Sequence, residues 1–322
     1  MIVTLAGGVG ASRFLQGLMK VVDPESVVAV VNTADDVVLH GLRVSPDLDT
    51  VTYALAGAVD PERGWGVADE SWAVMAALER LRPSAPDGST AGVTWFRLGD
   101  RDLATHLYRT HQLGQGAPLS EVTAQITRAW GLELTLLPMT DDRVATRIKP
   151  PGREAIGFQE WFVGERHATP VEAVEFEGIA ASTPAPGVIA ALSDAEVVVV
   201  CPSNPIVSIG PILGVPGVAD ALRARRESVV AVSPIIAGKA LKGPADTLMA
   251  DLGHEASVAG VARLYAEVAG TLVVDEADHD QVAAVEAEGM RCVVTPTVMN
   301  GSESAAALAS TVLGAAILDS GR

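Results

Sequence analysis

The sequence has few of the residues that would tie it to an oxidising compartment, a membrane or a polyanion. Only two cysteines, Cys201 and Cys292, occur among 322 residues, so a disulfide framework is not suggested. No apolar run approaches the length of a membrane span, and no charged segment precedes the short apolar start. Lysine and arginine number 23 against 40 aspartates and glutamates, a net charge of -17 that disfavours nucleic acid and anionic membranes as partners. We therefore expect a cytoplasmic protein.

Several catalytic motifs are missing as well. The sequence has neither the GK[ST] ending of a Walker loop nor the third glycine of a dinucleotide fingerprint, a position at which Arg13 stands. HExxH, paired CxxC and Gly-x-Ser-x-Gly are absent, which leaves a zinc site and a serine hydrolase without support. His106 and His111 face apart on one predicted helix, and we interpret them as structural or exposed. Asp100 and Asp102 begin that helix, and we interpret them as caps.

Strand-like and helix-like patterns alternate along most of the chain. The strand-like runs are rich in β-branched residues, and most are continuous, as in strands buried on both faces. They span 27–31, 132–137, 197–200, 229–232, 272–274 and 292–294. The pattern predicts an α/β fold with a Rossmann-like, doubly wound and mostly parallel sheet. We expect one catalytic unit over 1–322, with its core in 1–57 and 184–322.

The segment 58–183 differs from the core in composition. Helical patterns dominate it, and two short strand signals in it favour antiparallel pairing. All five tryptophans fall inside it: Trp65, Trp72, Trp95, Trp130 and Trp161. We interpret it as a largely helical insertion that walls a substrate pocket for a planar ligand, although ordinary core packing explains any single tryptophan equally well. Residues 83–92 are rich in Pro, Gly, Ser and Thr and are predicted to form a mobile loop.

A glycine turn follows the first predicted strand. Gly7, Gly8 and Gly10 let the backbone approach an anion closely, and the amides of the next helix, expected from about Ser12, carry partial positive charge. The pattern is typical of a phosphate-binding turn. A strand-to-helix connection that needs glycine only for its geometry remains open.

Aspartates cluster beyond the second predicted strand. Asp35 and Asp36 end that strand, and Asp47 and Asp49 follow in the sequence Ser-Pro-Asp-Leu-Asp-Thr. Ligands of open parallel sheets bind at the carboxyl edge of the strands, and Mg²⁺ prefers carboxylate and phosphate oxygens. The cluster therefore favours a magnesium site beside a phosphate. Some of these carboxylates would instead be helix caps, because Asp49 precedes a helical run.

A third group of polar residues follows the strand 197–200. Ser203, Asn204 and Ser208 lie in a proline-containing loop and can donate hydrogen bonds to a phosphate or a base. An Asx-turn explains Asn204 without any ligand.

Taken together, these segments resemble the 2-phospho-L-lactate transferase / phosphoenolpyruvate transferase family of coenzyme F420 biosynthesis. The resemblance runs nearly end to end, through GGVGASR, NTADD, HGLRVSPDLDT, GWG, WFRLGDRDLATHLYRT, PSNPIVSIGPIL, VSPIIAGKALKGPAD and VVDEAD. It implies that a guanosine diphosphate ester of a three-carbon acid donates its phosphorylated acid to the ribityl hydroxyl of a deazariboflavin and releases GMP. Archaeal members use the lactyl donor. The alanine-rich, acidic composition resembles actinobacterial members, for which the enolpyruvyl donor is expected.

The resemblance also assigns roles to residues. Asp49 and Arg97 match positions linked to the deazariboflavin, with Asp49 as the candidate catalytic residue, and Asp36 and Asp49 are the candidate Mg²⁺ ligands. The positions expected around the guanosine diphosphate are Gly7, Gly8, Gly10, Arg13, Ser203, Asn204 and Ser208. Two positions depart from the family pattern, since Arg13 replaces a common lysine and Val9 a common threonine.

Two other functions remain as alternatives. A nucleotide-sugar-binding regulatory protein of the gluconeogenesis-factor type shares a glycine loop and an aspartate pair, but it would have no use for an acceptor pocket. An NAD-dependent dehydrogenase lacks its complete fingerprint. A homodimer is the expected assembly because it is the commonest one.

Overall fold

The structure is a computed structural model that describes residues 1–86 and 93–317, so most of the predicted loop 83–92 lies outside the described residues. The strands are β1 Ile2–Ala6, β2 Val27–Val31, β3 Val37–Leu39, β4 Leu42–Val44, β5 Thr135–Pro138, β6 Ala145–Lys149, β7 Ile156–Gly157, β8 Ala173–Glu177, β9 Val197–Val200, β10 Val229–Val232, β11 Ile235–Ile236, β12 Lys239–Ala240, β13 Thr271–Val274 and β14 Arg291–Val294. The helices are α1 Gly8–Leu18, α2 Pro46–Leu55, α3 Ala73–Leu81, α4 Asp100–Gly114, α5 Leu119–Ala129, α6 Val188–Asp194, α7 Gly210–Gly214, α8 Val218–Arg223, α9 Ala245–Asp251, α10 Val258–Tyr265, α11 Val282–Ala287 and α12 Ser302–Ile317.

Seven strands form the central sheet in the order β14-β13-β10-β9-β1-β2-β5, and every neighbouring pair is parallel. The chain builds one half outward from β1 through β2 to β5, and then returns to the other side of β1 to add β9, β10, β13 and β14. The order therefore reverses between β1 and β9, and this reversal is the topological switch point of a Rossmann-like sheet. The predicted α/β fold is confirmed.

Continuous apolar strands allow helices to cover both faces of this sheet. Alternate residues of one strand enter different cores, as Val3 and Leu5 pack on one face and Ala6 on the other. Helices α6, α8 and α10 contribute to the first face, and α1, α2 and α12 to the second. Burial on both faces holds the sheet rigid, so the loops at the carboxyl ends of its strands are fixed relative to one another.

The segment 58–183 contributes to the core as well as to its surroundings. Strand β5 lies within it and forms one edge of the central sheet, where it pairs with β2. Two further parts of the segment stand beside the sheet: helices α3 and α4, and a small antiparallel sheet ordered β7-β6-β8. The antiparallel pairing predicted for the two short strand signals is confirmed, whereas the division of the chain into core and insertion stays a prediction.

Candidate active site

The switch point brings the loops after β1 and β9 into direct contact. The Ser203 hydroxyl accepts a hydrogen bond from the Gly7 amide at 3.3 Å and donates one to the Gly7 carbonyl at 2.8 Å. A Cβ atom on Gly10 would lie 2.0 Å from the carbonyl oxygen of Pro202, so only glycine allows this approach. The glycine turn and the loop after β9 therefore form one surface at the carboxyl edge of the sheet.

Helix α1 begins earlier than expected from the sequence. It starts at Gly8 rather than near Ser12, with Gly7, which has no side chain, as its N-cap. The Asp47 carboxylate accepts a hydrogen bond from the Gly8 amide. Gly8 has φ +68°, a left-handed value that an L side chain rarely adopts. The glycines thus form the first turn of the helix itself, and the N–H groups of that turn point at the switch point, as in phosphate-binding turns.

The side-chain oxygen of Asn204 stabilises its loop, while its side-chain nitrogen remains available as a hydrogen-bond donor. Its side-chain oxygen accepts hydrogen bonds from the amides of Ile206 and Val207, which is the Asx-turn that remained open from the sequence. Its side-chain nitrogen is buried and has no hydrogen-bond partner among the described residues. Ser208 follows in the helical turn Pro205–Ile209, and its Cβ lies 2.7 Å from the place that a Cβ on Gly7 would take. Ser208 thus borders the glycine turn, and Asn204 lies in the same loop, directly after Ser203.

Arg13 stands apart from this group. Its side chain is exposed, and its guanidinium donates to the carbonyl of Met299 at 3.5 Å. The structure therefore places Arg13 on the first turns of α1 but turned toward the segment before α12.

Three aspartates that follow β2 or begin α2 face the same region. Asp47 lies against Gly7, and its carboxylate accepts a hydrogen bond from Asn32 at 3.0 Å. Asp36 accepts a hydrogen bond from the hydroxyl of Ser45 at 2.6 Å. Asp35 and Asp36 each keep one buried carboxylate oxygen with no hydrogen-bond partner among the described residues.

Burial makes negative charge costly at these aspartates. It raises the pKa of Asp36 to about 8, against the opposing effect of the Ser45 hydrogen bond and the charge of Arg109. It also raises the pKa of Asp47 to about 6 and that of Asp35 well above its ordinary range, in the latter case with repulsion from Asp47. Carboxylates held together in this way require protons or a cation between them.

Asp49 is held by a buried arginine that sequence reasoning missed. Both nitrogens at the end of the Arg109 guanidinium donate to Asp49, one to each carboxylate oxygen, and the Nη1 to Oδ2 distance is 3.1 Å. The pKa of Arg109 is raised, because attraction to Asp49 outweighs the cost of burial. The charges of Arg109 and Asp49 both act on the pKa of Asp36. Asp36 and Asp49, the two predicted metal ligands, therefore lie near each other.

His106 is buried rather than exposed, and it lies in the site. Its Nδ1 is 3.6 Å from Asp49 Oδ2, and its Nε2 is 3.1 Å from Asp102 Oδ1. Asp102 also accepts a hydrogen bond from the hydroxyl of Tyr53 at 2.7 Å. The cap interpretation is wrong for both aspartates, because the N-cap of α4 is Gly99. The Asp100 carboxylate accepts from the amide and hydroxyl of Ser71, and that of Asp102 faces inward to His106 and Tyr53. The signal was present in the sequence, because Asp102, His106 and Arg109 recur at helical spacing on one face of α4.

Arg97 lies at a different surface, beside α3. Its guanidinium stands 4.6 Å from the ring centre of Trp72, which also stacks with Arg63 at 5.0 Å. A cavity of about 360 Å³ adjoins it, lined by Trp72, Met75, Ala76, Glu79, Thr94 and Arg97. Glu70 connects this surface to α4, since it pairs with Arg63 at 3.7 Å and accepts from the Asp102 amide at 2.7 Å.

The tryptophans divide between this surface and the core. Trp65 and Trp72 lie side by side with ring centres 6.0 Å apart, and Trp95 contacts Gly164. Trp161 is fully buried in a separate core, and Trp130 packs edge-on against Tyr53.

Replacing Ser203 with alanine tests the contact between the two loops. Loss of its hydroxyl leaves the buried Gly7 amide and carbonyl without their side-chain partner, which costs about 1–3 kcal/mol. We expect the dissociation constant for GDP to rise about tenfold, the equivalent of about 1.4 kcal/mol, in a calorimetric titration. Ser310→Ala, an exposed serine on α12, is the control and should bind GDP like the wild type. If the dissociation constant for GDP is unchanged in Ser203→Ala, the contact between the two loops is not needed for nucleotide binding.

The fold and the candidate site define the class of this protein: a Rossmann-like α/β protein in which a glycine turn at the switch point adjoins clustered carboxylates. Residues 2–310 match the family described as 2-phospho-L-lactate transferase CofD. The chain belongs to this family, and the resemblance found in the sequence is confirmed.

Curated relatives match over almost the whole chain. A protein from Kitasatospora aureofaciens is 44% identical over 317 residues, which cover 97% of this chain and 96% of the relative. A protein from Thermobifida fusca is 42% identical and covers 98% of both chains, and one from Mycobacterium tuberculosis is 41% identical over 91% of this chain and 93% of the relative. All three are named phosphoenolpyruvate transferase. The chain is therefore related to proteins named as transferases over almost its whole length.

Solved structures support the fold. Two crystal structures of protein BH3568 from Bacillus halodurans, a member of the UPF0052 family, align with a TM-score of 0.60 over 97% of this chain and 98% of theirs. Their sequences are 15% and 17% identical to this one, so the likeness concerns the fold alone. Within the described residues, none of the helices is both long and apolar enough to cross a membrane.

Proposed function

We propose that this protein transfers a phosphoenolpyruvyl group from enolpyruvyl-diphospho-5'-guanosine to the ribityl hydroxyl of 7,8-didemethyl-8-hydroxy-5-deazariboflavin, giving dehydro-coenzyme F420-0 and GMP. Family membership and the names of the relatives support a transferase, and the enolpyruvyl donor is chosen because those relatives are named phosphoenolpyruvate transferase. The observation that carries the proposal is the convergence of clustered aspartates beside the glycine turn at the switch point.

The nucleotide half of the donor fits the switch point. The diphosphate would lie on the first turn of α1, whose Gly8 amide donates to Asp47 in this structure. The hydroxyl of Ser208 borders the same surface and can donate to the phosphates or the base. The side-chain nitrogen of Asn204, in the same loop, has no hydrogen-bond partner among the described residues and offers a second donor.

The transfer needs alignment and charge compensation more than a covalent intermediate. The ribityl oxygen forms a new bond to the outer phosphorus, which carries the enolpyruvyl group, while the bond from that phosphorus to the bridging oxygen breaks and its electron pair leaves with GMP. Asp49 orients the attacking hydroxyl, because its fork-shaped pairing with Arg109 fixes the carboxylate in one orientation. A second lone pair on one of its oxygens accepts the proton of that hydroxyl as the bond to phosphorus forms. Arg97 holds the acceptor at the surface beside Trp72.

The carboxylates suit Mg²⁺, which we propose as the cofactor. Asp36 and Asp35 each offer a buried oxygen without a hydrogen-bond partner among the described residues, whereas both oxygens of Asp49 already accept from Arg109. Asp36 would therefore be the principal protein ligand, with Asp35 close by and Asp49 contributing mainly its charge. A bound Mg²⁺ supplies charge neutralisation on the diphosphate oxygens.

A mass-resolved transfer assay tests the proposal. Purified protein, Mg²⁺ and the deazariboflavin are combined with the enolpyruvyl or the lactyl guanosine diphosphate ester, and acceptor consumption and GMP release are followed. The expected product carries the phosphoenolpyruvyl group. If only the phospholactyl product forms, the protein catalyses the same class of reaction but uses the lactyl donor. Tight nucleotide binding without product from either ester would favour the regulatory protein instead.

The raised pKa of Asp36 predicts how Mg²⁺ stabilises the fold at different pH values. The folded state holds the Asp36 proton up to about pH 8, whereas the unfolded chain releases it near the ordinary value. The free energy of unfolding of the metal-free protein should therefore fall as pH rises between these two values, by at most about 1.4 kcal/mol per pH unit for this group. Because Mg²⁺ binds the ionised form, its stabilising effect should grow over the same window.

Melting temperatures with and without Mg²⁺, at about pH 5 and about pH 8, check this expectation. Asp36→Asn should weaken both the pH dependence and the response to Mg²⁺. The exposed Asp194→Asn variant is the control and should behave like the wild type. A Mg²⁺ response that is equal at both pH values and unaffected by Asp36→Asn would contradict the assignment.

A further inference from the structure

Helix α4 carries a row of polar residues, Asp102, His106 and Arg109, whose Arg109 end contacts Asp49. Arg109 and His106 are 2% and 1% exposed, and they stand one turn apart on the same face. The Arg109 guanidinium donates to both oxygens of Asp49, and its Nη1 lies 3.3 Å from His106 Nδ1. Burying so many polar groups is unfavourable unless they are paired. The two terminal nitrogens of Arg109 are paired, whereas Arg109 Nε and His106 Nε2 make no hydrogen bond among the described residues.

The row continues away from Asp49. His106 Nε2 lies 3.1 Å from Asp102 Oδ1, which also accepts from the Tyr53 hydroxyl. Tyr53 belongs to α2, as Asp49 does, so the network ties α2 to α4 at two points. The Asp102 amide donates to Glu70, whose carboxylate pairs with Arg63 beside Trp72. Asp49 and the surface that carries Arg97 are thereby connected through α4.

This row is better explained as a support for Asp49 than as a metal site. Asp49, Asp102 and His106 offer ligand atoms within 4.8 Å of one another. However, both Asp49 oxygens accept from Arg109, and a cation placed among the three residues would meet the Arg109 guanidinium. The positive charge that the buried carboxylate requires is already supplied by the protein.

We propose that Arg109 and His106 are positioning residues for the acceptor hydroxyl, acting through Asp49. Arg109 fixes the rotation of the Asp49 carboxylate, and His106 positions the Arg109 guanidinium through the contact of its Nδ1 with Arg109 Nη1. The inference rests on the proposed transfer reaction and deepens it. Because Asp47, rather than Asp49, lies against the glycine turn, disturbing this row should affect turnover and acceptor use and leave donor binding unchanged.

Arg109→Lys and His106→Gln test the inference in the complete protein. Lysine keeps the positive charge but cannot donate to both carboxylate oxygens in a fork. We expect the turnover number to fall about 30-fold or more in Arg109→Lys and about tenfold in His106→Gln, as for misplaced reacting groups. The KM for the guanosine diphosphate ester should stay within about twofold of the wild-type value. The substitutions leave the contacts that bind the donor in the ground state unchanged.

Two matched variants control for the substitutions themselves. Arg153→Lys removes another forked pairing, in which the guanidinium donates to both oxygens of Glu165 at 3.2 and 2.7 Å. His111→Gln replaces an exposed histidine on the same helix. Both should keep wild-type kinetics. Melting temperatures establish that each variant is folded at the assay temperature.

A double-mutant cycle separates positioning from general damage. If Arg109 acts through Asp49, Arg109→Lys should reduce turnover by no more than about twofold further in an Asp49→Asn background, since coupled residues are not additive. Full additivity in folded protein, a raised donor KM, or wild-type kinetics in Arg109→Lys and His106→Gln would each overturn the inference. Absence of transfer by the wild type itself would instead refute the proposed function, and the inference with it.

Discussion

Asparagine in place of Asp49 is expected to lower the turnover number of the transfer by at least about a hundredfold, the range typical of a lost general base. Asparagine keeps the shape of the side chain but cannot take the proton of the attacking hydroxyl. The donor should still bind, because the glycine turn contacts Asp47 rather than Asp49. The measurement is steady-state transfer with the deazariboflavin, together with the dissociation constant for GDP.

The same substitution leaves Arg109 charged and without its carboxylate partner. Loss of one member of a buried ion pair costs about 3–5 kcal/mol, so the melting temperature of Asp49→Asn should also fall. Asp49→Glu separates the two effects, because it retains the charge beside Arg109 and moves the carboxylate by one methylene. We expect it to be more stable than Asp49→Asn and still at least about tenfold slower than the wild type. Full activity of folded Asp49→Asn would remove Asp49 from the catalytic role.

Alanine in place of Gly10 is expected to have the largest effect on the fold at the switch point. The added Cβ would lie 2.0 Å from the carbonyl oxygen of Pro202, and backbone atoms on both sides leave no flexible group to move aside. Separating the two loops should destabilise the protein by about 1–3 kcal/mol, as overpacking does. It should also weaken GDP binding at least tenfold, or about 1.4 kcal/mol, because Ser203 and Gly7 move apart.

Gly114→Ala is the matched control for this substitution. Gly114 ends α4, and a Cβ added there would have no atom within 4 Å outside its immediate surroundings. Alanine favours a helix over glycine by about 0.5–1 kcal/mol, so this variant should be as stable as the wild type or slightly more so. Gly10→Ala with an unchanged melting temperature and GDP affinity would mean that the loops tolerate separation and that their contact is not required for binding.

The sequence was sufficient to predict the sheet, because strands buried on both faces need apolar residues at every position. The runs predicted at 27–31, 197–200 and 229–232 coincide with β2, β9 and β10. The start of α1 was predicted less accurately, since glycines read as a turn but form the first turn of the helix. Within the segment 58–183, the run predicted at 132–137 overlaps β5 Thr135–Pro138. Its pairing with β2, which makes it part of the central sheet, depends on a contact between residues far apart in the chain and leaves no local pattern.

The candidate site could be predicted where its residues lie directly after strands. Gly7, Gly8 and Gly10, with Ser203 and Asn204, follow β1 and β9, and parallel strands necessarily bring such loops to one edge of the sheet. Arg13 shows the limit of this reasoning, because its place next to the turn did not fix the direction of its side chain.

What the sequence determined by itself was the fold class, the family and the two loops at the switch point, because strand burial and loop position leave a regular pattern along the chain. Only the tertiary structure decided the partners of Asp49. Arg109 is 60 positions away, on a helix beside the sheet, and nothing in the local sequence relates a buried arginine to one particular carboxylate. That relation arises from the packing of α2 against α4, where burial forces each charge to find an opposite charge or a hydrogen bond.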